Sequence, residues 1–435
     1  MRVLIIASSF PPYNAIASLR PYSWAKYWSK WGHDVTVLTT KKIENVAFNL
    51  NLDCSTFKVI EIDYMSAYPL IAKHIGNPET KLPAPKTNGG GEKQRKSVIR
   101  SIASYLFANS GAISNDCRMP NTYQLWVGAA CSYMQALGEH YDVAVSTFAP
   151  FASLQIGYRL KKKGVVEKLV FDYRDLWIES PFKGVFGFRW LERVFEKKWI
   201  KEADAITTVS QPLANVLSSK YQREVRVVLN GVDLDDLKAA KPNDILDNSK
   251  INIMYAGSLY ANLRDPEPLF KALSELKEEG VNISRIKVSI ATGSPDRTIE
   301  LINMYNLSDN AEYIGMLPRQ EVLYMQSVAD IVLFLAHNGE GGEGFLGGKL
   351  SELLFSGTYI WVIGKRGQPS DIIEGYGCGK HLGNDVFIIK ENIKALLAGP
   401  KPNVPNDMTE KAKVFTREYQ AENLLSLINE FHHEK

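Results

Sequence analysis

The chain has 435 residues, of which 45% are hydrophobic and 23% charged, and a formal net charge of +3. That is enough apolar material for more than one core and excludes a disordered chain, while so weak a positive charge gives no basis for nucleic-acid binding. The four cysteines, Cys54, Cys117, Cys131 and Cys378, are scattered without a CxxC pair, which argues against a zinc site or a disulfide scaffold and fits a reducing, cytosolic setting.

In chain order, RVLIIAS (Arg2 to Ser8) predicts a buried strand, a helix follows from about Ser18 to Trp31, and DVTVLTT (Asp34 to Thr40) predicts a second strand. Strand, helix, strand at this spacing is a βαβ unit. Trp24, Tyr27, Trp28 and Trp31 recur at i, i+3, i+4 and i+7, the stripe of a helix that faces a core. The opening MRVLIIASSF holds a five-residue apolar run, unlike a signal peptide, and no run approaches the roughly 18 apolar residues a membrane span needs. Any membrane contact is expected to be peripheral.

FKVIEID, YDVAVST, KLVFDYR, ADAITTVS and VRVVLN continue the first series of strands. A second series runs INIMYAGS, RIKVSIATG, AEYIGML, ADIVLFLA, TYIWVIG and VFIIK. The reading is α/β, with two Rossmann-like doubly wound halves. The boundary is expected between Gly231 and Asn252, where DLDDLKAAKPNDILDNSK is polar and poor in strand formers, which gives domains 1–231 and 232–407 and a terminal helix over 408–435 packing back toward the first domain. The segment from Asn77 to Lys96, rich in proline, glycine and charge, is expected to be a mobile loop.

Neither half carries GxGxxG after its first strand, and the Gly348–Lys349 pair is followed by leucine instead of a hydroxyl residue. A dinucleotide enzyme and a P-loop ATPase are both disfavoured. EGFLGGKLSELLFSG (Glu343 to Gly357) is the main chemical signal. A glycine loop entering a helix exposes backbone N–H groups to phosphate. Lys349 then offers charge to a diphosphate, and Glu352 offers two oxygens to a ribose. The plain alternative is an ordinary turn followed by a helix with solvated charges.

FPPYNAIASLRPYSWAKYWSKWGHDVTVLTT, FDYRDLW, ADAITTVSQPLANVL, VLNGVD, YAGSLY with NLRDPEPL, GGKLSELLFSG and SDIIEGYGCG occur in this order along nearly the whole chain. Together they resemble the retaining glycosyltransferases of family 4, which have the GT-B fold. The resemblance implies two Rossmann-like domains facing each other across a cleft, with an acceptor on the first and a nucleotide diphosphate sugar, a UDP-sugar favoured, on the second. It implies a sugar transfer to a saccharide or lipid-linked acceptor of surface polysaccharide, with no cofactor and no metal.

Carried over by position, Glu352 binds the ribose hydroxyls, and Lys349 with the amides of Gly347 and Gly348 meets the diphosphate. Gly257 and Ser258 line the donor; Ser258 stands where relatives often have arginine, which leaves Arg264 as the nearest cation. Relatives also carry a glutamate eight positions before the ribose-binding one; that position is Gly344, with Glu343 one residue off. On the acceptor side Asn14 and Ala15 replace a glycine pair, and STFAP (Ser146 to Pro150) replaces the usual histidine. Arg20 is the expected substitute phosphate or acceptor contact. Asp175 either positions an acceptor hydroxyl or acts as a weak base, or else pairs with Arg174 to hold the strand end. The DLDD run is read as linker, without a metal.

KGVFGFRWLERVFEKKWIK (Lys183 to Lys201) and QRKSVIRSIASYLF (Gln94 to Phe107) interleave cations and aromatics, a pattern that suits an anionic bilayer surface or an ordinary helix with a solvated basic face. The expected place is the cytoplasm or the inner face of its membrane. Two alternatives to a transferase are a GT-B sugar-nucleotide epimerase and a catalytically silent GT-B scaffold.

Overall fold

A computed structural model describes residues 1–13, 15–41, 50–64, 119, 123–179, 189–261, 263–293, 295–339 and 348–432. The loop expected over Asn77 to Lys96 and the basic stretch Gln94 to Phe107 lie outside the described residues. Contacts divide the chain into two units, Met1–Val228 with the residues from Ala421 on, and Leu229–Gln420.

Parallel strands covered on both faces must be apolar nearly throughout. In the first unit β1 (Arg2–Ile6) meets that demand, with Val3, Leu4, Ile5 and Ile6 fully buried. Around it lie β2 (Asp34–Thr40), β3 (Lys58–Ile62), β4 (Tyr141–Phe148), β5 (Val166–Tyr173), β6 (Ala205–Thr208) and the two-residue β7 (Arg226–Val227). Their order is β3-β2-β1-β4-β5-β6-β7, all parallel, with the chain reversing direction across the sheet after β3.

The helix Ile16–Lys30 packs on one face of this sheet and buries Trp24, Tyr27 and Trp28. Trp24 and Trp28 stack at 6.1 Å. Against the same core lie Ala421, Leu424, Leu427 and Ile428 of the helix Arg417–His432. The Trp28 indole N–H donates to the Ala421 carbonyl at 2.9 Å.

The second unit holds β8 (Ile251–Ala256), β9 (Ile286–Ala291), β10 (Ala311–Tyr313), β11 (Ile331–Leu335), β12 (Tyr359–Ile363) and β13 (Gly379–Gly383), ordered β10-β9-β8-β11-β12-β13 and again parallel. Both sheets therefore follow the doubly wound order. One expectation is corrected here. VFIIK is not a strand but the start of the helix Val386–Ala398. Asp385 caps it, its Oδ1 accepting from the Phe387 and Ile388 amides at 2.9 and 3.2 Å. Ile389, Ile393 and Leu396 are buried at helical spacing while Phe387 is 70% exposed. The sixth strand is instead GKHLG, whose Gly379 leaves no room for a side chain, since a Cβ there would sit 2.2 Å from the Ile360 carbonyl oxygen.

Candidate functional site

The chemistry expected of the second unit gathers around the helix Gly348–Leu354, with Lys349 and Glu352 three residues apart and so on one face. At the Lys349 end, the ammonium donates to the Ala256 carbonyl at 2.5 Å and lies over the Tyr255 ring at 5.3 Å. Tyr255, buried at the end of β8, is itself held by its hydroxyl, which donates to the Ser258 carbonyl at 2.9 Å. Gly257 is the residue that permits this approach. Its φ is +154°, and a Cβ there would lie 1.6 Å from the Lys349 Nζ.

Burial and the nearby Arg264 guanidinium push the Lys349 ammonium down to about 8, with Glu352 acting weakly in the opposite sense. Arg264 stands in a tight turn closed by the Tyr260–Arg264 bridge, its guanidinium 6.0 Å from the Tyr260 ring. Two cations held this close at a partly buried strand end raise each other's cost, a cost that an anion lowers.

At the other end, Glu352 is 8% exposed. Its Oε1 accepts from Nη1 of Arg319, whereas Oε2 has no hydrogen-bond partner among the described residues. Arg319 opens the helix Arg319–Val328 and also donates from Nη2 to Asp236 Oδ2 at 3.3 Å. Asp236 in turn faces Arg417, with Nη1 at 3.7 Å, and Arg417 Nε donates to the Gly231 carbonyl at 2.9 Å. The DLDD run is thus divided between two tasks: Asp233 caps the helix Leu234–Lys238 and Asp236 joins an alternating chain of charges. The glycine of NGVD is explained by the same neighbourhood, because a Cβ on Gly231 would come within 2.5 Å of the Arg417 backbone nitrogen.

Of the expected donor residues, the structure brings together Lys349, Glu352, Gly257, Ser258, Gly348 and Arg264 around β8 and this helix. Gly347 and Glu343 lie outside the described residues, as does Asn14 in the first unit. Sequence reasoning missed Tyr255, Arg319, Asp236 and Arg417. The legible trace of Arg319 was a cation directly after Pro318, at a helix start where acidic residues are the favourable choice.

In the first unit the expected role of Arg20 meets a different geometry. Arg20 is buried within the helix Ile16–Lys30, and its guanidinium forks onto Asp172, Nε to Oδ2 at 3.0 Å and Nη2 to Oδ1 at 2.7 Å. Nη2 also reaches the Val228 carbonyl at 2.8 Å, and the group lies over the Trp24 ring at 5.0 Å. Asp172 is completed by the hydroxyls of Thr147 and Thr207, each at 2.9 Å. This places Arg20 as an internal counter-ion of the β4–β5–β6 strand ends, not as a group presented to an acceptor. Asp175 is exposed beyond β5, while Arg174 donates to the Phe148 and Ala149 carbonyls at 2.8 and 2.6 Å.

Among the described residues, no group of three His, Cys, Asp or Glu side chains is arranged to hold a metal ion, and no helix is long and apolar enough to cross a membrane.

No family model and no curated protein matches the chain. Solved structures do. A sucrose-phosphate synthase from Thermosynechococcus elongatus superposes with a TM-score of 0.64 at 16% identity, covering all of both chains. HepE from Anabaena, in complex with UDP and glucose, gives 0.60 at 13% identity over 99% of each chain. A putative UDP-N-acetylglucosamine 2-epimerase from Listeria monocytogenes gives 0.51 at 11% identity, covering 100% of this chain and 97% of its own. The fold is therefore GT-B. At these identities the likeness carries the fold alone, and the presence of both synthase and epimerase shows why function must be argued from the site.

Proposed function

We propose that this chain is a glycosyltransferase that moves a sugar from a nucleotide diphosphate donor, a UDP-sugar favoured, to a saccharide or lipid-linked acceptor of surface polysaccharide, with retention of configuration. The observation that carries the reading is Lys349, with Arg264 acting on it, set one helical turn from the half-used carboxylate of Glu352. A nucleoside diphosphate has matching chemistry: two phosphates for the cations and a ribose diol for a carboxylate oxygen.

In this reading the second unit binds the donor and the first unit the acceptor. Lys349 and Arg264 neutralise the charge that develops on the leaving diphosphate as the glycosidic bond breaks. Glu352 Oε2 accepts from the ribose hydroxyls and fixes the register of the donor. The acceptor hydroxyl gives its proton to the departing phosphate, so no protein nucleophile and no metal is required.

An epimerase would use the same donor site without an acceptor. The two separate when the purified protein is incubated with UDP-, GDP- and ADP-sugars, with and without saccharide acceptors and with EDTA. Acceptor-dependent release of nucleoside diphosphate that survives EDTA is the expected result, and Lys349→Ala should lower kcat about 100-fold while moving the donor KM less. Acceptor-independent conversion of the sugar would establish the epimerase instead.

The acceptor side suggests a lipid surface. On the helix Arg189–Ile200, Trp190 and Val194 are 63% and 55% exposed among the exposed cations Arg189, Arg193, Lys197 and Lys198. Co-sedimentation with anionic vesicles that weakens with salt is expected; salt-insensitive or absent binding would remove the membrane contact from this reading.

A further inference from the structure

We infer that Arg319 is a positioning residue for the Glu352 carboxylate, fixing which of its oxygens is presented to a nucleotide ribose. The inference rests on the donor-site reading above and extends it to a residue that does not touch the ligand.

Arg319 is the first residue of its helix, directly after the N-cap Pro318. A cation there opposes the helix dipole, so helix formation does not account for it. Two carboxylates do. Nη1 holds Glu352 Oε1 and Nη2 reaches Asp236 Oδ2 at 3.3 Å. Asp236 is kept in place by Arg417, which is 6% exposed and tied to the Gly231 carbonyl. The start of the helix is fastened as well, because the Gln320 carbonyl accepts from the Lys241 amide at 3.1 Å and the Glu321 carbonyl from the Asn243 side chain at 3.4 Å.

A guanidinium spread between two fixed acceptors cannot follow Glu352 if that side chain rotates. The carboxylate must therefore settle with Oε1 on Arg319 and Oε2 turned away. A lone glutamate would exchange its two oxygens among several rotamers, and each hydroxyl contact would then carry an ordering cost. Lysine is no equivalent here, since one ammonium on a flexible stem reproduces a single contact and not the bridge.

The test compares each nucleoside diphosphate with its 2′,3′-dideoxy counterpart, using UDP, ADP and GDP as probes and calorimetry on the full chain. The wild type should favour the ribose form by on the order of 10- to 100-fold, the range expected when a site built for hydroxyls loses them. Glu352→Gln should reduce that preference to a few-fold, and Arg319→Met should do the same although Glu352 is still present. Arg319→Lys should fall between.

A pair that served stability alone would lower the melting temperature and leave the ribose preference at its wild-type value. If Glu352→Gln removes the preference and a folded Arg319→Met keeps it, the positioning role is overturned while the donor site stands. If the wild type binds none of the three diphosphates, or binds both sugar forms equally, the donor reading fails and takes this inference with it. Should Arg319→Met not fold, Asp236→Asn, which removes the second anchor of the guanidinium, must lower the preference several-fold, and an unchanged ratio in that variant overturns the proposal.

Discussion

Two arginine–carboxylate pairs, one in each unit, are built to opposite plans. Asp172 is wholly buried, and its two oxygens take four hydrogen bonds, two from Arg20 and one each from Thr147 and Thr207. Glu352 gives one oxygen to Arg319 and leaves the other without a protein partner among the described residues. A saturated carboxylate has no capacity left for a ligand, so its arginine is best understood through stability. A carboxylate held by one oxygen is oriented and still able to accept, which is what recognition of a diol requires.

The difference predicts different failures. Arg20→Ala strands a buried anion and should cost about 3 to 5 kcal/mol of stability. Denaturant unfolding measures it, and a loss below about 1 kcal/mol would mean that Asp172 finds another counter-charge. Glu352→Gln should instead weaken nucleoside diphosphate binding by about 2 to 4 kcal/mol, as charge-assisted contacts to the ribose become neutral ones. Its cost in stability should be only about 1 kcal/mol, because Arg319 keeps Asp236 and the site is less buried. An equal loss in the two measurements would erase the contrast between the pairs.

The smallest effect concerns pH. Because burial and Arg264 hold Lys349 at about 8, the folded protein loses this charge as pH rises through that value. Diphosphate affinity should fall several-fold between pH 7 and 9, and Lys349→Arg, which stays charged, should flatten the profile. Stability moves the other way. The unfolded chain keeps the proton to about 10.5, so between about 8 and 10.5 the unfolded state binds more protons and the contribution of Lys349 to stability rises with pH. A Kd independent of pH over this range would show that Lys349 is not the group facing the diphosphate.

Much of the fold was legible because parallel strands sheathed on both faces announce themselves as apolar runs, as in VLII of β1 and IVLFL of β11. The error at VFIIK came from weighing that apolar run above the Asn384–Asp385 cap signal in front of it and the i, i+4, i+7 spacing of Ile389, Ile393 and Leu396 behind it. β13 was missed for the converse reason: GKHLG has poor strand chemistry and is formed by pairing with β12 at the sheet edge. In the site, Lys349 and Glu352 could be read from local spacing, whereas the partners that fix them come from distant segments. Arg319 is 33 residues from Glu352 and Ala256 is 93 from Lys349, and no local pattern encodes such pairings. The contact of Arg20 with Asp172 was illegible on the same ground, the carboxylate lying 152 residues away.

The return of the chain to the first unit at Ala421 determines how this protein can be dissected. A piece ending at Val228 would lack the Ala421 carbonyl that receives the Trp28 indole and the Leu424, Leu427 and Ile428 surface that closes the same core. Such a fragment would expose the part of that core beside the helix Ile16–Lys30 and invite aggregation. The second unit, by contrast, is one uninterrupted stretch, 229–420. Excision of that stretch leaves two ends already near each other, since the Asn423 side chain donates to the Val227 carbonyl at 3.3 Å. A short splice from Val228 to Ala421 is therefore the economical route to an isolated first unit, and in topological terms the second unit is an insertion carried by the first.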